Sequence, residues 1–271
     1  MPKRLAILAG AGELPRIAAN ACRKLDTDLV LYHFAEADLD VQLAADSTIL
    51  RREVSLGKMA ETFRFLQDDS ISDIVLLGKI EKQVLLQDVS RDAAAEQIYQ
   101  AATDRRDDTL FLQFAKAVSQ MGINILPQKA LLGDCFLPPG VHSKQKPASP
   151  ALLEDIDFGY ELSRKIGSLD IGQTAVVFEK MVLAVEAIEG TDAAIRRAGE
   201  IARGRGGVVC KTAKASQDPR FDLPAVGIRT LGTMHASGMQ ALVIESAQTL
   251  VVNPAQFVAR ADELRLILIA R

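Results

Sequence analysis

The residues best suited to chemistry gather between positions 186 and 230, where carboxylates, lysines and glycines recur at the breaks between predicted elements. The run AVVFEKMVLAVEAI alternates and is rich in valine, which predicts one or two strands that end near Glu189-Gly190. Glu186 lies inside this apolar run, and burying an unpaired carboxylate costs on the order of several kcal/mol. We therefore expect Glu186 to be paired, protonated or bound to a metal ion.

A helix is predicted after Gly190, because apolar residues recur there at helical spacing. Thr191 or Asp192 is the expected N-cap, and the amides of a first helical turn can bind an anion. The next predicted strand, GVVCKTAK, carries Lys211 and Lys214 on opposite faces. One of the two lysines can therefore meet a phosphate group.

The segment QDPRFDLP combines two prolines, two carboxylates and an arginine, just before a helix predicted to start near Pro224. Prolines fix the backbone, so Asp218, Arg220 and Asp222 are expected on a rigid loop. Carboxylate oxygens flanked by lysine and arginine suit a hard divalent cation together with phosphate oxygens. The alternative interpretation is that these residues form surface salt bridges and helix caps.

The N-terminal run RLAILAGAGELPRIAANACRKL predicts a strand, a glycine turn and a helix. The turn Gly10-Ala11-Gly12 can cradle a phosphate or a nucleotide, although the run lacks the third glycine of a dinucleotide-binding motif; a simple tight turn is the alternative. Glu36 follows the strand DLVLYHF, in the region where a ribose-binding acid is expected. Lys79 follows the strand SDIVLLG, where it can neutralise a phosphate or simply end the strand in water.

Strand and helix patterns alternate through the first half of the chain, which predicts an α/β fold with a Rossmann-like parallel sheet. Residues 127–150 hold five of the ten prolines, which favours a domain boundary. We predict an N-terminal Rossmann-like domain over residues 1–130, a linker over 131–148 and a C-terminal catalytic domain of mixed α/β type over 149–271. A cleft between the two domains is the expected place for a ligand.

The composition argues against several classes of protein. The 271 residues carry a net charge of -3 with a pI near 5.7, whereas nucleic-acid-binding domains are typically basic. Three cysteines and three histidines lack the spacing of a disulfide framework or a zinc site, so any metal ion needs oxygen ligands. We expect neither a signal peptide nor a membrane span, because the apolar runs are too short. A cytoplasmic protein is predicted.

Three motifs carry a resemblance to a known family: VLAVEAIEGTDAAIRRAG, KTAKASQDPRFDLPAVGIRT and the N-terminal GAGELP. In these runs, and over most of its length, the chain resembles the LpxI family of UDP-2,3-diacylglucosamine pyrophosphatases. The resemblance implies a cytoplasmic enzyme, peripheral to the inner membrane, that uses Mg2+, with Mn2+ as an alternative, to hydrolyse an acylated UDP-sugar lipid. The implied products are 2,3-diacylglucosamine 1-phosphate (lipid X) and UMP, on the route to lipid A.

The same resemblance implies roles for the candidate residues. Asp222 would hold the metal ion that activates the attacking water. Asp218 and either Glu186 or Glu189 would be further carboxylates that bind the metal ion or support its ligands, with Glu186 as the preferred second metal ligand. Asp218 and Lys211 join Asp222 as predicted catalytic residues, and attack is expected at the phosphorus nearer the sugar. Substrate contacts are expected from the remaining candidates, which are Gly10, Ala11, Gly12, Lys79, Glu189, Gly190, Thr191, Asp192, Lys214 and Arg220. Ala215-Ser216 stands where the family motif has Pro-Gly, so the shape of this loop departs from the pattern.

Two other functions stay open at the level of sequence. An NAD(P)-dependent oxidoreductase could be built on the glycine turn, but it would leave the charged cluster of the second half without a role. A non-catalytic nucleotide-binding regulator would bind UDP ligands without turnover. The sequence is also compatible with a homo-oligomer.

Overall fold

The chain forms two compact units in its computed structural model. The residues that the structure describes are 4–80, 90–103, 107–214 and 218–271. The N-terminal unit comprises Met1–Leu132 together with a short segment from much later in the chain, Pro219–Asp222. The C-terminal unit comprises Gly133–Asp218 and Leu223–Arg271.

The N-terminal unit is built on a five-stranded sheet with the order β3-β2-β1-β4-β5, in which every neighbouring pair is parallel. Its strands are β1 (Leu5–Ala9), β2 (Leu29–Phe34), β3 (Leu50–Val54), β4 (Asp73–Leu77) and β5 (Asn124–Ile125). Its described helices are α1 (Leu14–Lys24), α2 (Val41–Ala44), α3 (Met59–Asp68), α4 (Ala93–Ala101), α5 (Asp107–Gln120) and α6 (Lys129–Leu132).

Strand β1 lies at the centre of this sheet, between β2 and β4. All of its residues, LAILA, are buried, as expected for a parallel strand covered on both faces. Helix α1 follows it with Pro15 in the first turn and basic residues in the last turn, which suits the helix dipole. Pro15, Ala18, Ala19 and Cys22 form its buried face, so the helix is held by packing of small side chains.

The C-terminal unit contains a six-stranded mixed sheet with the order β6-β13-β11-β9-β7-β8, and a separate parallel pair, β10-β12. The main sheet consists of β6 (Gly140–Val141), β7 (Thr174–Phe178), β8 (Met181–Val185), β9 (Val208–Lys211), β11 (Ala241–Ile244) and β13 (Ile267–Ala270). The small pair is β10 (Ala225–Val226) and β12 (Leu250–Val251). The helices are α7 (Pro150–Ser168), α8 (Thr191–Ala202), α9 (Ile228–Ala236) and α10 (Pro254–Glu263), with a 3-10 turn at Gly133–Cys135.

The predicted fold class is confirmed, since a parallel Rossmann-like sheet occurs in the first unit and a mixed α/β arrangement in the second. One local prediction is wrong, because Pro224 precedes the short strand β10 and the following helix starts only at Ile228. The predicted strand GVVCKTAK is longer than the observed strand β9, which ends at Lys211. Lys214 therefore lies beyond the strand. Within the predicted linker, β6 pairs with β13 of the C-terminal sheet.

The run predicted as one or two strands forms the hairpin β7–β8. Its turn residues, Glu179 and Lys180, both have positive φ, at 50° and 59°. Two backbone amides of this turn, those of Glu179 and Lys180, donate to the buried carboxylate of Asp155 at 2.8 and 2.7 Å. Helix α7, which carries Asp155, thereby fixes the tip of the hairpin.

A buried polar network ties α3 to the sheet of the N-terminal unit. Both oxygens of the Asp69 carboxylate accept from Arg52, at 2.6 and 3.0 Å, and the hydroxyl of Tyr32 donates to the same carboxylate at 2.6 Å. Asp69 is 5% exposed, so these bonds form where water is largely excluded. The hydrogen bond from Arg52 is the main cause of the lowered pKa of Asp69, and Tyr32 contributes in the same direction.

We expect Asp69→Asn to lower the free energy of unfolding at neutral pH by about 2–3 kcal/mol, the range for hydrogen bonds to charged groups. Because the folded-state pKa of Asp69 lies below the ordinary value of about 3.9, the carboxylate stabilises the fold above that pH. The stabilisation is lost as the pH falls through the folded-state pKa. The difference between wild type and variant should therefore shrink in strongly acidic buffer, as measured by urea titration.

Asp68→Asn is the matched control, because Asp68 is the exposed neighbour of Asp69 on the same helix. Its effect should stay within about 0.5 kcal/mol, as for most surface substitutions. An Asp69→Asn deficit that is equally large at every pH would contradict the electrostatic explanation.

Candidate functional site

A cavity of about 340 Å³ lies in the N-terminal unit at the carboxyl ends of β1, β2 and β4. Open α/β sheets place their ligands at this edge. The walls of this N-terminal cavity are mainly apolar and include Leu8, Phe34, Leu56, Met59, Leu76, Leu77, Ile80, Ala95, Ile98, Tyr99, Leu110, Phe111, Phe114 and Phe221. Among the described residues, three charged ones also line it: Lys79, Arg91 and Asp222.

The charged residues of the N-terminal cavity reach it from three places in the chain. Lys79 follows β4 and Arg91 precedes α4, where its guanidinium lies 3.9 Å from the centroid of the Tyr99 ring. Asp222 comes from the segment Pro219–Asp222, which joins the N-terminal unit from the second half of the chain. The site thus combines a carboxylate and two cations with an apolar wall. No sequence motif singled out Arg91.

The glycine turn is closed against β4 by backbone contacts. The amide of Gly10 donates to the carbonyl of Leu77 at 2.8 Å, and Ala11 and Lys79 exchange backbone hydrogen bonds at 2.8 and 2.9 Å. The amides of Gly10 and Ala11 are therefore used in backbone hydrogen bonds within the fold. The phosphate contact predicted for the turn would have to come from Gly12, at φ +100° and with open space beside it, and from the residues after it.

Glu36 lies beside the cavity wall, two residues after the end of β2. One of its carboxylate oxygens, Oε1, accepts from the hydroxyl of Ser55 at 2.5 Å and from the amide of Leu56 at 3.0 Å. Its other oxygen, Oε2, is buried and has no hydrogen-bond partner among the described residues. Glu36 therefore fixes the segment that carries Leu56, a wall residue of the N-terminal cavity. The ribose contact considered for Glu36 stays a prediction.

A second group of predicted site residues meets at the start of α8 in the C-terminal unit. The ammonium group of Lys211 donates to the hydroxyl of Thr191 at 2.6 Å, and this hydroxyl donates to Glu186 Oε1 at 3.0 Å. Lys211 is 6% exposed and lies at the carboxyl end of β9. Glu186 Oε2 is buried and has no hydrogen-bond partner in the part of the chain described. The three side chains form one hydrogen-bonded row.

Two further acidic candidates of the C-terminal unit, Glu189 and Asp192, form ion pairs with basic side chains of the same unit. Glu189 pairs with Arg197 at 2.6 Å. Asp192 pairs with Arg229 at 2.9 Å and also accepts from the hydroxyl of Thr230 at 3.3 Å.

Other candidates lie outside both groups. Lys214 pairs with Asp170 at 2.5 Å. Arg220, next to the cavity residue Phe221, has its guanidinium carbon 5.8 Å from the centroid of the Phe111 ring. Asp218 directly precedes the segment Pro219–Asp222, while Gly190 is the N-cap residue of α8. The departure at Ala215-Ser216 falls outside the described residues.

The described residues do not bring three or more His, Cys, Asp or Glu side chains together in a way that could hold a metal ion. Mg2+ is nevertheless often bound by one or two carboxylates completed by water and substrate phosphates. Asp222, which lines the N-terminal cavity together with Lys79 and Arg91, fits that pattern. Glu186 fits it less well. The ammonium group of Lys211 is linked to Glu186 through the hydroxyl of Thr191, and its positive charge would repel a metal ion bound there.

Comparison with known proteins gives one consistent result for both halves of the chain. Residues 4–135 match the family model described as the LpxI N-terminal domain, and residues 138–269 match the LpxI C-terminal domain. The chain is 32% identical over 277 aligned positions to "UDP-2,3-diacylglucosamine pyrophosphatase LpxI" of Caulobacter vibrioides. That alignment covers 97% of this chain and 96% of the relative. Within the described residues, no helix is long and apolar enough to cross a membrane.

The closed glycine turn generates a prediction. Gly78 has φ +89°, and a Cβ atom there would lie 2.6 Å from the backbone of Gly10. We expect Gly78→Ala to lower the free energy of unfolding by at least about 2 kcal/mol, because both the backbone conformation and the close approach oppose a side chain. Gly133→Ala is the control, since open space surrounds that position. Equal thermal midpoints for the two variants would contradict this account.

Proposed function

Because the chain belongs to the LpxI family, we propose that it hydrolyses the pyrophosphate bond of UDP-2,3-diacylglucosamine. The products are 2,3-diacylglucosamine 1-phosphate, or lipid X, and UMP, and the reaction is a step of lipid A biosynthesis. Water supplies the new oxygen on the phosphorus nearer the sugar, and the bridging oxygen leaves with UMP.

The N-terminal cavity is the observation that best supports this proposal. Its apolar walls suit an acyl chain, which is the part of this substrate that gains most from leaving water. Lys79 and Arg91 can compensate the negative charge of a phosphate, and Asp222 supplies a carboxylate to the same cavity. A lipid that carries a pyrophosphate needs this combination of apolar surface and charge.

We assign Asp222 as the residue that holds Mg2+, with Mn2+ as an alternative, together with phosphate oxygens of the substrate. When bound, the ion supplies charge neutralisation on the pyrophosphate and lowers the pKa of a coordinated water. The chain itself contributes orientation, because Asp222 can accept a hydrogen bond from the attacking water. Lys79 and Arg91 can donate to the phosphate oxygens, whose negative charge must be balanced during the transfer.

The Lys211–Thr191–Glu186 row is assigned to phosphate binding. A buried ammonium at the start of α8 favours an anion, because the dipole of the helix adds to its positive charge. Glu186 Oε1 accepts a hydrogen bond from the hydroxyl of Thr191 and thereby orients this hydroxyl. We therefore propose that Glu186 acts as an orienting residue and that Asp222 supplies a carboxylate to the metal ion.

The substrate also suggests where the enzyme works. A diacylated sugar nucleotide resides in a membrane, so we place the protein in the cytoplasm, in peripheral contact with the inner membrane. No nucleic acid is expected as a partner, and a homo-oligomer stays a prediction.

The first test is the release of UMP from UDP-2,3-diacylglucosamine with Mg2+ or with a chelator. We expect wild type to release UMP only with the metal ion, and Asp222→Ala to reduce kcat by about a thousandfold or more, the upper range for loss of one essential electrostatic contact. Asp134→Ala, at an exposed aspartate, should keep wild-type activity. Full activity of folded Asp222→Ala would overturn the role of Asp222, and a folded wild type without UMP release would overturn the function.

A second test addresses the acyl chain. Ala95 is buried on α4 and lines the N-terminal cavity, whereas Ala93 is exposed on the same helix. We expect Ala95→Leu to raise the KM for a long-chain substrate roughly tenfold, because the added carbons occupy space needed by the chain. The KM for a short-chain analogue should change less.

Ala93→Leu is the matched control, since it adds the same atoms on the solvent side of α4. A KM that rises equally for both chain lengths in Ala95→Leu would indicate a general disturbance and would contradict acyl binding in this cavity.

A further inference from the structure

The segment Pro219–Asp222 needs something to hold it. It belongs to the N-terminal unit, although the residues before and after it belong to the C-terminal unit. Asp218–Asp222 contains no helix or strand, so no ladder of backbone hydrogen bonds fixes its conformation. The position of Asp222 must therefore be set by contacts of this short segment with its surroundings.

Gln128 provides these contacts with three hydrogen bonds. Its backbone amide donates to the carbonyl of Pro219 at 2.9 Å. Its side-chain nitrogen Nε2 donates to the carbonyl of Leu76, in β4, at 2.8 Å and to the carbonyl of Phe221 at 3.3 Å. One amide group thus joins a central strand of the sheet to the residue directly before Asp222.

The chemistry of this contact requires a side-chain amide. Both side-chain partners of Gln128 are carbonyl oxygens, so both must receive an N–H group. Gln128 is 4% exposed, and water cannot readily replace a lost bond at such a position. A methionine of the same length offers no donor, and a glutamate would bring a negative oxygen against two carbonyls.

An aromatic contact also holds the same segment. The rings of Phe221 and Phe111 stack with their centroids 3.5 Å apart, and both rings line the N-terminal cavity. Stacking restricts the position of the Phe221 ring, but it does not fix the direction in which the backbone carbonyl of Phe221 points. That direction is set by the hydrogen bond from Gln128.

We propose that Gln128 is a positioning residue for Asp222, which acts by holding the carbonyl of Phe221 against β4. The proposal rests on the proposed function in one respect, because it takes Asp222 as the carboxylate that acts on the substrate. Reacting groups must be aligned closely, and a displacement of about 1 Å can reduce the rate by about a hundredfold. Substrate binding depends on many contacts across the cavity and should change little.

The kinetic test compares Gln128→Met and Gln128→Glu with Gln256→Glu, a control at an exposed glutamine of α10. For both Gln128 variants we expect kcat to fall by about tenfold to a hundredfold, while KM stays within about twofold of wild type. The control should match wild type in both constants. Wild-type kcat in folded Gln128→Met, or a rise in KM that accounts for the whole loss of kcat/KM, would overturn the proposal.

A second readout does not depend on activity. The chain has no tryptophan, so Phe221→Trp introduces a single fluorophore at the segment itself. In that background, Gln128→Met should shift the emission to longer wavelength and increase quenching by acrylamide, whereas Gln256→Glu should change neither. Unchanged emission and quenching in Phe221→Trp/Gln128→Met would overturn the proposal that Gln128 holds the segment in place. If wild type releases no UMP while the fluorescence changes as expected, the proposed function is wrong, but Gln128 still holds the segment Pro219–Asp222.

Discussion

The contact between the glycine turn and the end of β4 is the constraint on which the N-terminal unit depends. A Cβ atom at Gly78 would meet the backbone of Gly10, and a Cβ atom at Gly10 would meet the backbone of Lys79, so neither position has room for a side chain. This close approach lets the backbones of Ala11 and Lys79 pair, which joins two central strands beyond the edge of the sheet. The N-terminal cavity lies directly beside this junction, and both glycines line it. The shape of the cavity therefore depends on the absence of a Cβ atom at Gly10 and at Gly78.

The charged groups of the molecule fall into two kinds. Some stabilise the fold, such as Asp69 with Arg52 and Asp155 with the hairpin turn, where all partners belong to the protein. Others, such as Asp222 and Lys79, line a cavity together with apolar residues. Carboxylates of the first kind hold the framework rigid, and the proposed role of Asp222 requires that rigidity, because a group that acts on a substrate must be held in a defined position.

The sequence predicted those features that depend on local pattern. Alternating strands and helices identified the parallel sheet, and the run SDIVLLGK placed Lys79 at the carboxyl end of a strand, where the cavity lies. The hydrogen-bonded row of Lys211, Thr191 and Glu186 also joins residues from the predicted stretch. Periodicity alone could not show that a strand begins at Ala225, directly after Pro224, because two residues are too few to establish a period.

Contacts between distant parts of the chain could not be predicted in this way. Phe111 and Gln128 carry no motif, and each makes its contact with Phe221 only when segments far apart in sequence fold together. Gln128 and Phe221 are separated by 93 positions, and the bond between them depends on the complete tertiary structure. A single sequence offers no periodic or compositional signal for such a pair.

The division of the chain into units has a consequence for modular evolution. The family models separate the sequence after residue 135, yet the compact N-terminal unit includes Pro219–Asp222 from the other side of that boundary. A gene fragment ending there would encode most walls of the cavity without Phe221 and Asp222, which also line it, and the complementary fragment would encode these two residues without the other walls. Recombination could not exchange either half as a self-sufficient module. The two halves must therefore be inherited as one piece. Whether a substitution at Phe221 is tolerated depends on its fit to the ring of Phe111, which is encoded more than a hundred codons upstream.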